Sequence, residues 1–78
     1  MTKVIVYNTN SCPWCVKVKD FLKENKIDYV EHNVAEDAKA LQDMEEKSGQ
    51  RGVPVLDING TIIVGFDRDA IKAALKLK

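Results

Sequence analysis

The sequence predicts an α/β domain in which three helices flank a four-stranded mixed sheet, in the order β-α-β-α-β-β-α. Three observations carry this. Short β-rich apolar runs alternate with longer stretches of helical periodicity. A helix separates the first two β runs, which implies a parallel pair joined by a right-handed crossover. Asn59-Gly60 stands between the last two β runs. Asn-Gly is the strongest short-range hairpin signal, because both residues tolerate positive φ.

The elements follow in order. Val4-Ile5-Val6-Tyr7 is a continuous apolar run, suited to a strand buried on both faces. Asn8 to Ser11 is polar turn chemistry. From Pro13 onward, Val18, Phe21, Leu22 and Asn25 fall on one helical stripe, and the helix is expected to end near Asn25-Lys26. Residues 27–34 read as a second strand, half exposed because Glu31 and Asn33 interrupt it. Residues 37–47 form a second helix with Ala38, Leu41 and Met44 inward, and residues 48–52 a loop with two glycines. Residues 53–58 and 61–66 form the hairpin. Residues 67–78 close the chain as a helix capped by Asp67 or Asp69, with Ala70, Ile71, Ala74 and Leu75 inward.

With 78 residues, the chain has material for one core and is expected to be a single domain over 1–78. Twelve basic and twelve acidic residues cancel, so no basic stripe points to nucleic acid. No apolar run approaches a membrane span and no signal-peptide pattern is seen, so the chain reads as a cytoplasmic monomer. The two cysteines lie three positions apart. A bridge between them closes a tiny loop and removes little unfolded-state entropy, which makes it a poor staple. In a reducing cytosol such a pair is more often catalytic, redox-sensing or metal-binding.

Cys12-Pro13-Trp14-Cys15 falls between the first strand and the first helix. Pro13 suits the first helical position, where its missing N–H costs nothing. Cys12 is then the N-cap, and its sulfur faces the free N–H groups of the first turn, which favour a thiolate over a thiol. Cys15 lies one turn inward, more buried and less acidic. This asymmetry suggests disulfide exchange. Cys12 attacks a substrate disulfide, and Cys15 attacks the resulting mixed disulfide and releases the reduced product. Trp14 is an exposed apolar plate for the partner. A metal site is the weaker reading, since two thiolates are half of a tetrahedral zinc shell and His32, the only histidine, lies in a distant strand. His32 reads as a partly buried structural residue.

Three further groups are candidates for the same site. Pro54, in Gly52-Val53-Pro54-Val55, must open its strand or sit in a special turn. A cis Val53-Pro54 bond would offer the Val53 backbone to an extended peptide or tripeptide thiol, although a trans proline opening a strand is the commoner arrangement. Gly65-Phe66-Asp67 places a helix N-terminus where a carboxylate could bind; the plainer reading is a cap and a turn. Gln50 and Arg51 could meet a substrate carboxylate, although such residues are more often simply solvated.

These residues resemble the glutaredoxin branch of the thioredoxin superfamily. Cys12-Pro13-Trp14-Cys15 is similar to its dithiol turn, Val53-Pro54 to its cis-proline signature, and Gly65-Phe66 to its glycine turn before the last helix. The resemblance implies a thioredoxin-like fold and a cis Pro54 beside the cysteines. It implies disulfide-containing protein substrates or glutathione mixed disulfides. No cofactor is expected to be tightly bound, and either glutathione, as co-substrate, or a thioredoxin-reductase-like enzyme would supply electrons. Three departures bear on that choice. Thr9 stands where many members carry Lys or Arg, Gly52 where they carry Thr, and Arg68 where an Asp would meet the glutathione amino group. The Gly-Phe step also resembles NrdH-redoxins. A different class of function is a glutathione- or partner-binding module or an iron–sulfur carrier, against which Cys15 argues, because such carriers usually have one cysteine. A third is an inert thioredoxin-like adaptor.

Overall fold

The computed structural model describes residues 3–76. Its elements are β1 (Val4–Asn8), α1 (Pro13–Glu24), β2 (Val30–Asn33), α2 (Ala38–Ser48), β3 (Val55–Ile58), β4 (Thr61–Val64) and α3 (Arg68–Leu75). The sheet order is β2-β1-β3-β4. β1 and β2 are parallel, while β3 runs antiparallel to both β1 and β4. The mixed four-stranded sheet and three helices are those the sequence predicts. No described helix is long and apolar enough to cross a membrane.

The period-two alternation of the strands builds a core on each face of the sheet. Val4 and Val6 of β1, Leu56 and Ile58 of β3, and Ile63 of β4 meet Val18, Phe21 and Leu22 of α1 and Ile71 of α3. On the opposite face Tyr7 and Val55 meet Ala40 and Met44 of α2. β1 and β3 are therefore covered on both sides, which explains their unbroken apolar runs. Each fully buried aliphatic side chain here contributes about 1.5–3 kcal/mol. Lys47 Nζ donates to Tyr7 Oη at 2.8 Å and to Asp57 Oδ2 at 2.9 Å, pinning the end of α2 to β1 and β3. His32 is half-buried and stacks on Tyr7, their ring centroids 5.7 Å apart.

Several boundaries differ from the sequence expectation, each for a local reason. The strand expected over 27–34 begins only at Val30. Ile27 instead ends α1: its N–H reaches Leu22 O at 2.9 Å and the Lys26 N–H reaches Lys23 O at 3.0 Å. This pair of bonds is a Schellman motif, and Ile27 supplies its apolar contact by packing on the core. Asn25, expected on the inner stripe, is exposed and serves as C-cap, its Nδ2 donating to Phe21 O at 2.8 Å. Ala38 is exposed and Ala40 buried, because Ala38 lies about a third of a turn from Met44 around the helix. β4 stops at Val64, where Gly65 takes a positive φ of 80° while its N–H still reaches Pro54 O at 2.8 Å. α3 begins at Arg68 with Asp67 as the cap, donated to by Ala70 N–H at 3.1 Å. The last residues of that expected helix, 77–78, lie outside the described residues.

Lys26 occupies the left-handed position of the Schellman motif, with φ of 57°. A side chain is strained there and glycine is not. Lys26→Gly is therefore expected to stabilise the protein by about 0.5–1 kcal/mol. Equilibrium urea unfolding checks this, and a lower midpoint would contradict it.

Candidate active site

The register of the sheet gathers the site residues at one edge. Tyr7 pairs with Val55, and Val55 with Val64. The C-terminal end of β1, the start of β3 and the end of β4 thus lie side by side. The cysteine turn follows the first, Val53-Pro54 precedes the second, and Gly65-Phe66-Asp67 follows the third. Residues far apart in sequence share one end because β3 runs against both neighbours.

Within the turn, Cys12 is the N-cap of α1, with extended backbone at φ −105° and ψ 104°, and Pro13 opens the first turn. The Cys15 N–H donates to Cys12 Sγ at 3.1 Å. A sulfur in this place takes up one of the unpaired donors at the helix start. Both cysteines are free. Cys12 is half-buried, whereas Cys15 is 1% exposed. Burial is the main reason the Cys15 thiol is pushed up to about 12. Proximity to the Cys12 sulfur adds to the shift, while the Thr9 backbone and the Lys19 charge oppose it. The two sulfurs are therefore unlike: one sits at the rim among donors, the other in a dry position that resists charge.

Around the turn, Trp14 is 54% exposed and Lys17 Nζ lies 4.4 Å from its ring centroid. Phe66 sits 6.4 Å from Trp14 and 6.0 Å from Phe21, so an aromatic series runs from the surface into the core. This series joins the Gly65-Phe66 turn to the cysteine turn. The Val53–Pro54 peptide is cis, and Pro54 is buried. Among the described residues no hydrogen bond takes up the Val53 N–H or C=O.

Gln50 and Arg51 lie in the loop leading to this edge, but both are engaged within the chain. Gln50 Oε1 accepts from the Gly52 N–H, and its Nε2 donates to Gly52 O at 3.0 Å and Ser48 Oγ at 3.3 Å. A Cβ on residue 52 would stand 2.6 Å from Gln50 Oε1, so glycine there permits the clamp. Arg51 is ion-paired with Glu45. Arg68, at the start of α3, places its guanidinium carbon 5.7 Å from the Phe21 ring centroid. Asp67 is spent on its own helix cap.

Sequence reasoning did not single out Lys19 and Glu31. They form an ion pair at 3.0 Å and line a pocket with Cys12 and Cys15. The available signal was that Lys19 follows Cys15 by one helical turn. Among the described residues no cluster of three or more His, Cys, Asp or Glu side chains could hold a metal ion.

Comparison with known proteins places this geometry. The family model for glutaredoxin matches residues 4–63. A glutaredoxin-like 8.6 kDa protein of the rubredoxin operon of Clostridium pasteurianum is 50% identical over 66 residues, covering 85% of this chain and 88% of that protein. Glutaredoxin-C2 of Arabidopsis thaliana is 37% identical over 67 residues, covering 82% of this chain and 60% of that longer protein. Among solved structures, a variant of the thioredoxin-like protein BC3987 superimposes with a TM-score of 0.91 at 33% identity, covering 100% of both chains. The NrdH-redoxin of Escherichia coli shares the fold, with a TM-score of 0.83 at 24% identity over 91% of this chain and 92% of its own.

Proposed function

The chain belongs to the glutaredoxin family of the thioredoxin superfamily, and we propose that it is a dithiol thiol–disulfide oxidoreductase that reduces protein disulfides. The observation that carries this reading is the pairing of an N-cap sulfur at the rim with a buried sulfur one turn inward, joined by the 3.1 Å bond from the Cys15 N–H. The Cys12 thiolate attacks one sulfur of a substrate disulfide, forming a mixed disulfide and expelling the other sulfur as a thiolate. Cys15 then loses its proton and attacks Cys12 Sγ, breaking the mixed disulfide and freeing the second substrate thiol. Two electrons have passed to the substrate, and the protein holds a Cys12–Cys15 disulfide until a donor reduces it. The Val53 backbone is available to an extended substrate segment, and the Trp14–Phe66 plate offers it an apolar surface.

The electron donor in this reading is a protein reductase of the thioredoxin-reductase type rather than glutathione. Gln50, Arg51 and Asp67 are each committed to partners within the chain, and Arg68 presents like charge to a glutathione ammonium. A charge-assisted hydrogen bond is worth about 1.5–3 kcal/mol, so forgoing one costs roughly tenfold or more in affinity. With NADPH as the electron source, turnover of a protein disulfide is expected to be at least about tenfold faster with thioredoxin reductase than with glutathione plus glutathione reductase. The reverse order would assign the protein to glutathione.

A further inference from the structure

The pocket beside the two sulfurs is lined by Thr9, Asn10, Cys12, Cys15, Lys19, Glu31 and three neighbouring residues, and has a volume of about 260 Å³. It opens between the start of α1 and the outer strand β2, away from the edge where Val53 and Phe66 lie. Val6, on the α1 side of the sheet, pairs with Glu31, so Glu31 points beneath α1. Lys19 stands one helical turn beyond Cys15 on the same face of α1 and meets Glu31 at 3.0 Å. Lys19 is thereby held in place in the wall of a pocket that also reaches Cys15. A surface ion pair of this kind contributes little to stability, so its position calls for another account.

Resting on the oxidoreductase reading, we propose that Lys19, held by Glu31, is a positioning residue for the resolving step: its fixed positive charge stabilises negative charge as it develops on the Cys15 sulfur, while the pocket gives the departing proton a route to water. The step balances. The Cys15 S–H proton passes to water in the pocket, the sulfur's electron pair forms the bond to Cys12 Sγ, and the Cys12–substrate bond breaks with its pair leaving on the substrate thiolate. Lys19 does not accept that proton. Its pairing with Glu31 holds its own titration above the ordinary lysine range, so it stays charged. Its charge also opposes, weakly, the effect of burial on Cys15. The other titratable groups near Lys19 and Cys15 are Cys12 at the N-cap of α1, and Glu31 and Tyr29 from β2 and the approach to it. On α3, Arg68 is directed to Phe21. The β1–α1 loop supplies only the neutral Thr9, Asn10 and Ser11.

The test loads Cys12 with a fluorescent thiol as a mixed disulfide and follows its release by Cys15 in a single turnover across pH 5–10. Release in the parent is expected to speed up with pH. Lys19→Met, which keeps the aliphatic stem, shifts that profile to higher pH and slows release about three- to tenfold at pH 7; the neutral variant Lys19→Gln repeats the shift, and Lys19→Arg restores the parent profile. The attack of Cys12, measured as mixed-disulfide formation in a Cys15→Ser background, is unchanged by Lys19→Met. Superimposable profiles for parent and Lys19→Met, or equal slowing of both steps, would overturn the role of Lys19. Failure of the parent itself to release the label would instead sink the oxidoreductase reading, so the two failures are told apart.

Discussion

Cys12→Ser leaves a folded protein with no disulfide-reductase turnover, at least about 10³-fold below the parent. Both halves of this expectation come from the same position. Cys12 is an N-cap whose side chain accepts the Cys15 N–H. Serine is among the best N-cap residues, so its hydroxyl takes over that bond and α1 keeps its start. The thermal midpoint should therefore hold or rise. A serine hydroxyl at neutral pH offers no anion to a disulfide, so no mixed disulfide forms and Cys15, 1% exposed, cannot reach a substrate in its place. Turnover of a protein disulfide together with a melting curve checks both halves. Residual turnover at a tenth of the parent rate would move the nucleophile elsewhere.

Cys15→Ser has the opposite signature. The first attack proceeds, and the product stays bound to Cys12 as a stoichiometric mixed disulfide, visible by mass spectrometry of the intact protein. The parent shows no such adduct. Release in the parent requires Cys15 to lose a proton that burial holds up to about 12, so the release rate is expected to rise up to about tenfold per pH unit through the neutral range. The same burial fixes a sign for stability. A thiol with a raised folded value stabilises the fold fully below its unfolded value of about 8.5, and that contribution is lost as pH climbs toward the folded value. Urea melts of the reduced parent should therefore fall between pH 9 and 12 more steeply than those of Cys15→Ser, by up to about 1.4 kcal/mol per pH unit. Equal slopes would mean that Cys15 is not shielded in solution.

Much of this arrangement is legible in the sequence, for reasons that differ by residue. Asn59-Gly60 and the unbroken run of β1 are local signals with few alternative readings, and the hairpin and central strand follow from them. Pro13 fixes the start of α1 and with it the N-cap place of Cys12. Ile27 is ambiguous in the sequence, since an apolar residue after a helix can open a strand or close a Schellman motif. Only its bond to Leu22 O decides. Ala38 and Ala40 are alike in composition, and the helix start set by Asp37 chooses between them. Gln50 and Arg51 look like free polar side chains in the sequence, and their engagement with Gly52 and Glu45 depends on the path of the loop. Lys19 and Glu31 meet only because β2 lies beside β1 in a register that turns Glu31 toward α1.

The register of β1 with β3 has a consequence for the chain as it is made. Synthesis runs from the N-terminus, so the cysteine turn emerges from the ribosome well before Val55, the residue that pairs with Tyr7 and seats Pro54 next to it. During that interval β1 has no neighbour on its β3 side. The cysteine turn meets the cis Val53–Pro54 peptide only when the distant strand docks.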